Sequence, residues 1–169
     1  MIPSILSRRS IRKYTSEPLT QDQLDDLLRS AMFAPSARHE RAWQFIVVTD
    51  PALITKLADM KPHSFFSRTA PAIIVICSTD WQYWIQDTSI VCAHLYLAAT
   101  ALNLGTCMVE VYDSLTTAKE SAEDYVSATL NIPQDIRILG FMPVGHPAES
   151  HPDHSDSEFD RSKVHANTW

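Results

Sequence analysis

The residues of this chain best suited to holding an anion stand near its start: Arg8, Arg9, Ser10 and Arg12, followed by Lys13. Guanidinium groups carry planar, fixed sets of N–H donors that match phosphate oxygens, and a hydroxyl between them adds one more. On an extended backbone alternate side chains share a face, so Arg8, Ser10 and Arg12 would converge. A solvated basic N-terminus accounts for this motif equally well, because short basic clusters are common. A second segment runs Ala34-Pro35-Ser36-Ala37-Arg38-His39 and leads through Arg41 and Ala42 to Trp43 and Phe45. Small residues let backbone approach a planar ligand, and Ser36 and His39 offer hydrogen bonds to its rim. The plainer reading is an ordinary loop, with Trp43 as a core aromatic.

Other chemistries lack their parts. The only glycines are Gly105, Gly140 and Gly145, which removes the dinucleotide fingerprint, the phosphate-binding P-loop and the nucleophile elbow of hydrolases. His151, Asp153, His154 and Asp156 can be drawn as a metal cluster, but Pro152 prevents regular helical spacing and the surrounding chain is polar, so a solvated arm is the reading and no metal is expected. His94, inside an apolar run, reads as a satisfied core histidine.

The 169 residues fit one domain, with an extended C-terminal arm over about 148–169. Fourteen Lys+Arg against twenty Asp+Glu give a net charge of −6, which argues against nucleic acid as a partner. Cys77, Cys92 and Cys107 are odd in number and lie in apolar stretches, as buried thiols of a reducing compartment do. The start has no secretory pattern, and Asp80, Gln82 and Asp87 interrupt the region closest to a membrane span. A cytoplasmic protein is expected.

Helices alternate with short strands in a layered α+β or α/β arrangement. Thr20 and Gln23 form a capping-box pattern ahead of Leu24, Leu27, Leu28, Ala31 and Met32, whose spacing predicts a helix closed by Pro35. Phe45–Val48 reads as a strand, and Asp50-Pro51 opens a helix to about Met60. The apolar run 73–77 predicts a strand covered on both faces. A long helix is expected over 87–104 with Gly105 as its left-handed cap. A strand over 106–112, a helix over 117–130 and a last strand over 136–144, interrupted at Gly140, complete the reading.

Taken in order, these segments resemble the nitroreductase family of FMN-dependent oxidoreductases over nearly the whole chain. Arg8-Arg9-Ser10-Ile11-Arg12 resembles the family's Arg-x-Ser-x-Arg, and Ala34-Pro35-Ser36-Ala37 with Trp43 and Phe45 its Ala-Pro-Ser element. Ala70-Pro71 precedes an apolar strand, Asp87-Thr88 opens the long helix closed by Leu104-Gly105, and Gly145-His146-Pro147-Ala148-Glu149 stands where relatives have a Gly-Tyr-Pro-Ala-Glu-like segment. Val164-His165-Ala166-Asn167-Thr168-Trp169 is similar to the ending of short members.

The resemblance implies an α+β fold with a central mixed sheet flanked by helices, and a homodimer with FMN at the subunit interface. It implies that Arg8, Arg9, Ser10 and Arg12 hold the phosphate and ribityl chain, and that Pro35, Ser36, Ala37 and His39 of the other subunit line the isoalloxazine. By the same resemblance Val109, Glu110 and Val111 pass the N5 edge through backbone groups. No catalytic side chain is needed where the flavin carries the hydride chemistry. The implied activity is reduction of nitroaromatics, quinones or similar planar acceptors by NADH or NADPH in a ping-pong cycle. His39 replaces a common Asn, Arg41-Ala42 a common Gln-Pro, and Cys92-Ala93-His94 a Gln/Glu-Asn pattern. The arm offers only Arg161 or Lys163 where relatives supply a further phosphate contact. These departures keep a non-catalytic flavin-binding protein as the alternative.

Overall fold

The computed structural model covers residues 1–169. Its sheet is built around β2 (Ala72–Thr79), in which every residue except Thr79 is buried. Alternate side chains of a strand point to opposite faces, and both faces here are covered. Ile74 and Ile76 join Leu27, Val91 and Leu95 in one core, while Ile73 and Val75 join Leu57, Val126 and Phe141 in the other. That two-sided burial is why the run is apolar throughout instead of alternating.

The ladder order is β1 (Trp43–Val48), β2, then β5 (Ile136–Gly145), with β3 (Gly105–Thr106) and β4 (Val109–Glu110) successively along the far edge of β5. All these ladders are antiparallel, and the one parallel pairing is the bridge between Ser10 and Thr106. The expected strand over 106–112 is thus two short pieces. They break opposite Pro143, which has no N–H to donate to a ladder; its carbonyl accepts from the Thr106 hydroxyl at 2.8 Å instead. β5 continues through Gly140, but its register to β2 shifts there, Ile76 facing Gly140 and Cys77 facing Ile138, and a Cβ on Gly140 would lie 2.5 Å from the Val109 carbonyl oxygen.

The helices are α1 (Pro3–Ser7), α2 (Gln21–Met32), α3 (Pro51–Asp59), α4 (Trp84–Ala101) and α5 (Ala122–Leu130). The Thr20–Gln23 capping box is complete: the Thr20 hydroxyl accepts from the Gln23 amide at 3.1 Å, and Gln23 Oε1 accepts from the Thr20 amide at 2.9 Å. Asp50 caps α3 by accepting from the Ala52 amide at 2.8 Å. His94 Nδ1 lies 2.9 Å from the Ser30 carbonyl oxygen and ties α4 to α2, the structural role expected of it. Three helix limits differ from expectation, the first being the start of α4 at Trp84 rather than at Asp87. α4 ends earlier, with Asn103 rather than Gly105 in the left-handed region (φ 56°). α5 begins only at Ala122, because Ser121 caps it and residues 113–121 form turns closed by the Leu115–Ser121 bridge. The three cysteines are buried and free, and burial pushes the Cys77 and Cys92 thiols up to about 12. No helix is long and apolar enough to cross a membrane.

Candidate cofactor site

The N-terminal arginine segment is extended because it is held from both sides. On one side the Ile11 amide donates to the Thr106 carbonyl at 3.0 Å. Gly105 makes that approach possible, since a Cβ on it would sit 2.5 Å from Ile11 Cγ2. On the other side the chain after β5 lies along it. The Thr15 amide donates to the His146 carbonyl at 2.9 Å, the Ala148 amide to the Lys13 carbonyl at 2.8 Å, and the Arg12 amide to Glu149 Oε1 at 2.6 Å. The Arg12 amide, with His151 and Lys13 nearby, holds the Glu149 carboxyl below the usual carboxylate range. Tyr14 pins the segment beneath: its buried hydroxyl donates to the Ile11 carbonyl at 2.6 Å, and burial raises the phenol well above its ordinary value. The Gly-His-Pro-Ala-Glu stretch therefore acts as the clamp on the arginines.

Arg8, Arg9, Ser10 and Arg12 line one open hollow of about 370 Å³, together with His151 and Pro152. They are not equivalent. The Arg9 guanidinium donates to the Pro152 carbonyl at 2.7 Å and lies 3.8 Å from a Glu158 carboxylate oxygen, so its charge is turned toward the arm. Arg8 instead lies over the Tyr96 ring, 5.4 Å from its centroid, with His154 Nε2 at 3.3 Å. Arg12 lies over the Phe66 ring at 5.9 Å. Aromatic faces steady a cation without neutralising it, and neither Arg8 nor Arg12 has a carboxylate in ion-pair contact. Two oriented, uncompensated guanidiniums flank a hydroxyl, and that donor set suits a dianionic phosphate. The fit to the phosphate end of FMN is good.

The arm departs from the solvated expectation over its first part. The His154 amide donates to the Leu6 carbonyl at 2.9 Å, and the His154 ring reaches the Arg8 carbonyl at 3.1 Å and Glu158 at 2.7 Å. Beyond Phe159 the hydrogen bonds are local and every residue is exposed. Lys163 lies 3.7 Å from Asp160 there, and Arg161 makes no ion pair.

Val109 and Glu110 form β4, further along the β5 edge than the Thr106 that bridges to Ser10, and Val111 follows them. Val109 and Glu110 line a second hollow of about 340 Å³ with Lys61, His63 and Met108. Lys61 donates to the Glu110 carbonyl at 2.6 Å and to Ser114 Oγ at 3.0 Å, and burial lowers its ammonium pKa. Val111 is fully buried and its amide donates to the Leu139 carbonyl at 3.0 Å, so it anchors the strand rather than facing the hollow. Lys61, Phe66, Tyr96 and His154 carry no local signal in the sequence, because each acts on a residue far along the chain.

Pro35, Ser36, Ala37 and His39 lie elsewhere, on the loop between α2 and β1. The loop holds to the start of α4, where the Ala37 amide donates to Asp87 Oδ1 at 2.9 Å, and it closes on itself through the Arg41 amide and Ser36 Oγ at 3.0 Å. Asp87 is buried and its second oxygen has no partner. Arg38, His39 and Arg41 all have positive φ (53°, 60° and 51°), unfavourable for residues with a Cβ. None of the loop's hydrogen bonds reaches the arginine segment. Trp43, just beyond, is a buried core aromatic, as expected.

The fold and these segments have close counterparts. The FMN-dependent nitroreductase of Clostridium difficile R20291 superposes with a TM-score of 0.96 at 32% identity, covering 100% of both chains. A Methanothermobacter thermautotrophicus protein provisionally named NADH dehydrogenase/NAD(P)H nitroreductase is 33% identical over 174 residues, spanning 100% of this chain and 87% of its own. The FMN reductase (NADPH) of Bacillus subtilis is 23% identical over 87% of this chain and 66% of its own. The model of the nitroreductase family matches residues 5–64 and 59–146. With its antiparallel α+β core and clamped N-terminal arginine segment, this chain belongs to the nitroreductase family.

Proposed function

We propose that this chain is an FMN-dependent NAD(P)H oxidoreductase that works as a homodimer and reduces nitroaromatics, quinones or similar planar acceptors in a ping-pong cycle. The observation that carries the reading is the pair Arg8 and Arg12, each seated on an aromatic face and free of carboxylate, with Ser10 between them. Family membership and relatives named for FMN and NAD(P)H supply the cofactor and reductant.

Arg8, Ser10 and Arg12 hold the phosphate and ribityl end, and Arg9 secures the arm that clamps them. Backbone of Val109 and Glu110 borders the ring, with Lys61 fixing the Glu110 carbonyl and Val111 anchoring the strand. Pro35, Ser36, Ala37 and His39 of a second copy cover the other side of the ring, in keeping with an exposed loop that its own chain does not bring to the arginines. Bound FMN supplies hydride transfer, and the protein supplies position, charge and a restricted opening. Stacking on the ring selects flat acceptors.

Anaerobic titration of the purified yellow protein with NADH and with NADPH tests this. Bleaching of the flavin bands, followed by recovery when a nitroaromatic or quinone is added, is the expected result. A colourless protein that takes up no FMN rejects the reading; a yellow protein that neither nicotinamide bleaches supports flavin binding without turnover.

A further inference from the structure

One side chain touches both the arginine segment and the edge of the sheet within a single chain. Tyr96, on the face of α4 turned to the sheet edge, accepts a hydrogen bond on its hydroxyl from the Met108 amide at 2.8 Å. Its ring carries the Arg8 guanidinium at 5.4 Å. Ser10 and Cys107 also act on the phenol: burial raises its pKa, Cys107 adds to the rise, and the Met108 amide and Ser10 oppose it. Met108 lies in the gap between β3 and β4, opposite Met142 and next to Cys107, the residue that faces the proline. Without the phenol, a backbone N–H in that gap loses its partner. The segment that carries the cations and the strand that borders the ring thus share one rigid support.

We propose that Tyr96 is a positioning residue that sets the spacing between the arginine segment and the edge strand. Its ring seats Arg8 for phosphate, and its hydroxyl fixes the backbone that borders the flavin. The inference rests on the cofactor reading above, and it assigns Tyr96 no contact with substrate. The two parts of the side chain separate its two effects. Tyr96→Phe keeps the ring under Arg8 and releases the Met108 amide; Tyr96→Leu removes both.

The test is fluorescence titration of apoprotein with FMN and with riboflavin, which lacks the phosphate, plus the reduction potential of the bound flavin. Tyr96→Phe is expected to weaken both ligands alike, by roughly fivefold for one lost neutral hydrogen bond. Its bound FMN is expected to show a shifted potential, and the Met108 amide to exchange faster with solvent. Tyr96→Leu is expected to reduce the preference for FMN over riboflavin as well. Tyr96→Phe differs by one oxygen atom and carries the test if Tyr96→Leu does not fold. A parent protein that binds no FMN overturns the cofactor reading and this inference with it. A parent that binds FMN, with Tyr96→Phe matching it in affinity, potential and exchange, overturns this inference alone.

Discussion

The arginine segment and the loop between α2 and β1 are both short, polar and near the surface, yet the chain treats them in opposite ways. Residues 8–15 are bonded on both sides, to Thr106 and to the stretch from His146 to Glu149, and pinned by Tyr14. Residues 36–41 are bonded mainly to one another and to Asp87, and three of them occupy the left-handed region without glycine. On the proposed reading the first region is a finished half-site, ordered by the chain's own hydrogen bonds. The second stores backbone strain on an exposed surface, and strain of that kind persists where surrounding structure or function maintains it. A single chain thus orders its charged segment fully and leaves the small-residue loop facing outward.

The largest effect is expected where the finished half is stripped of its free charge. Arg8→Ala with Arg12→Ala removes two charge-assisted contacts of roughly 1.5–3 kcal/mol each, so FMN affinity should fall by roughly a hundredfold or more in a fluorescence titration. Arg9→Ala should change the same affinity by less than about fivefold, because Arg9 is spent on Pro152 and Glu158. Equal losses from Arg9 and from the pair would erase the distinction drawn among the arginines.

Next comes the packing that lets the segment lie against the sheet. Gly105→Ala puts a Cβ into Ile11, and overpacking of this sort costs about 1–3 kcal/mol. Urea unfolding should show that loss together with reduced flavin content. Unchanged stability would mean that the segment is less firmly held than its bonds indicate.

A smaller change of opposite sign is expected in the strained half. Arg41→Gly relieves a positive φ and should raise the unfolding midpoint, gaining up to about 1 kcal/mol, whereas Arg41→Ala should not. If both variants behave alike, the loop is not strained.

The smallest effect concerns pH. The Arg12 amide bonds the ionised form of Glu149 more strongly than the neutral one, so the folded carboxyl sits below its ordinary value of 4.5. Stability from this group is present above that value and is lost as pH falls through the depressed one. Glu149→Gln should therefore be less stable than the parent at neutral pH and approach it as acid is added. A constant difference between the two from pH 7 to pH 3 would assign Glu149 another role.

Much of the scaffold was legible because its signals are local. A Thr and a Gln three residues apart cap a helix wherever they fall, Asp50-Pro51 starts one, and unbroken apolar character over 73–77 needs cover on two faces. The alternation of Arg8, Ser10 and Arg12 likewise foretells a shared face once the backbone is extended. Resemblance added the family, through landmarks whose physical purpose in several cases is mutual clamping. The local signals misled where a distant partner decided. Asn103 takes the left-handed position while Gly105 makes room for Ile11, and Pro143 splits the edge strand that 106–112 foretold.

The sequence by itself determined where α2 and α3 start, which strand is covered on both faces, and that cations gather on one short segment, since each follows from residue type and spacing within a few positions. Only the tertiary structure decided which of those cations remain free. Arg9 meets Glu158 about 150 residues away, while Arg8 and Arg12 meet Tyr96 and Phe66. A charge is neutralised or left available by what folding brings within a few ångströms, and Coulombic and hydrogen-bonding partners at that range carry no mark in the neighbouring sequence.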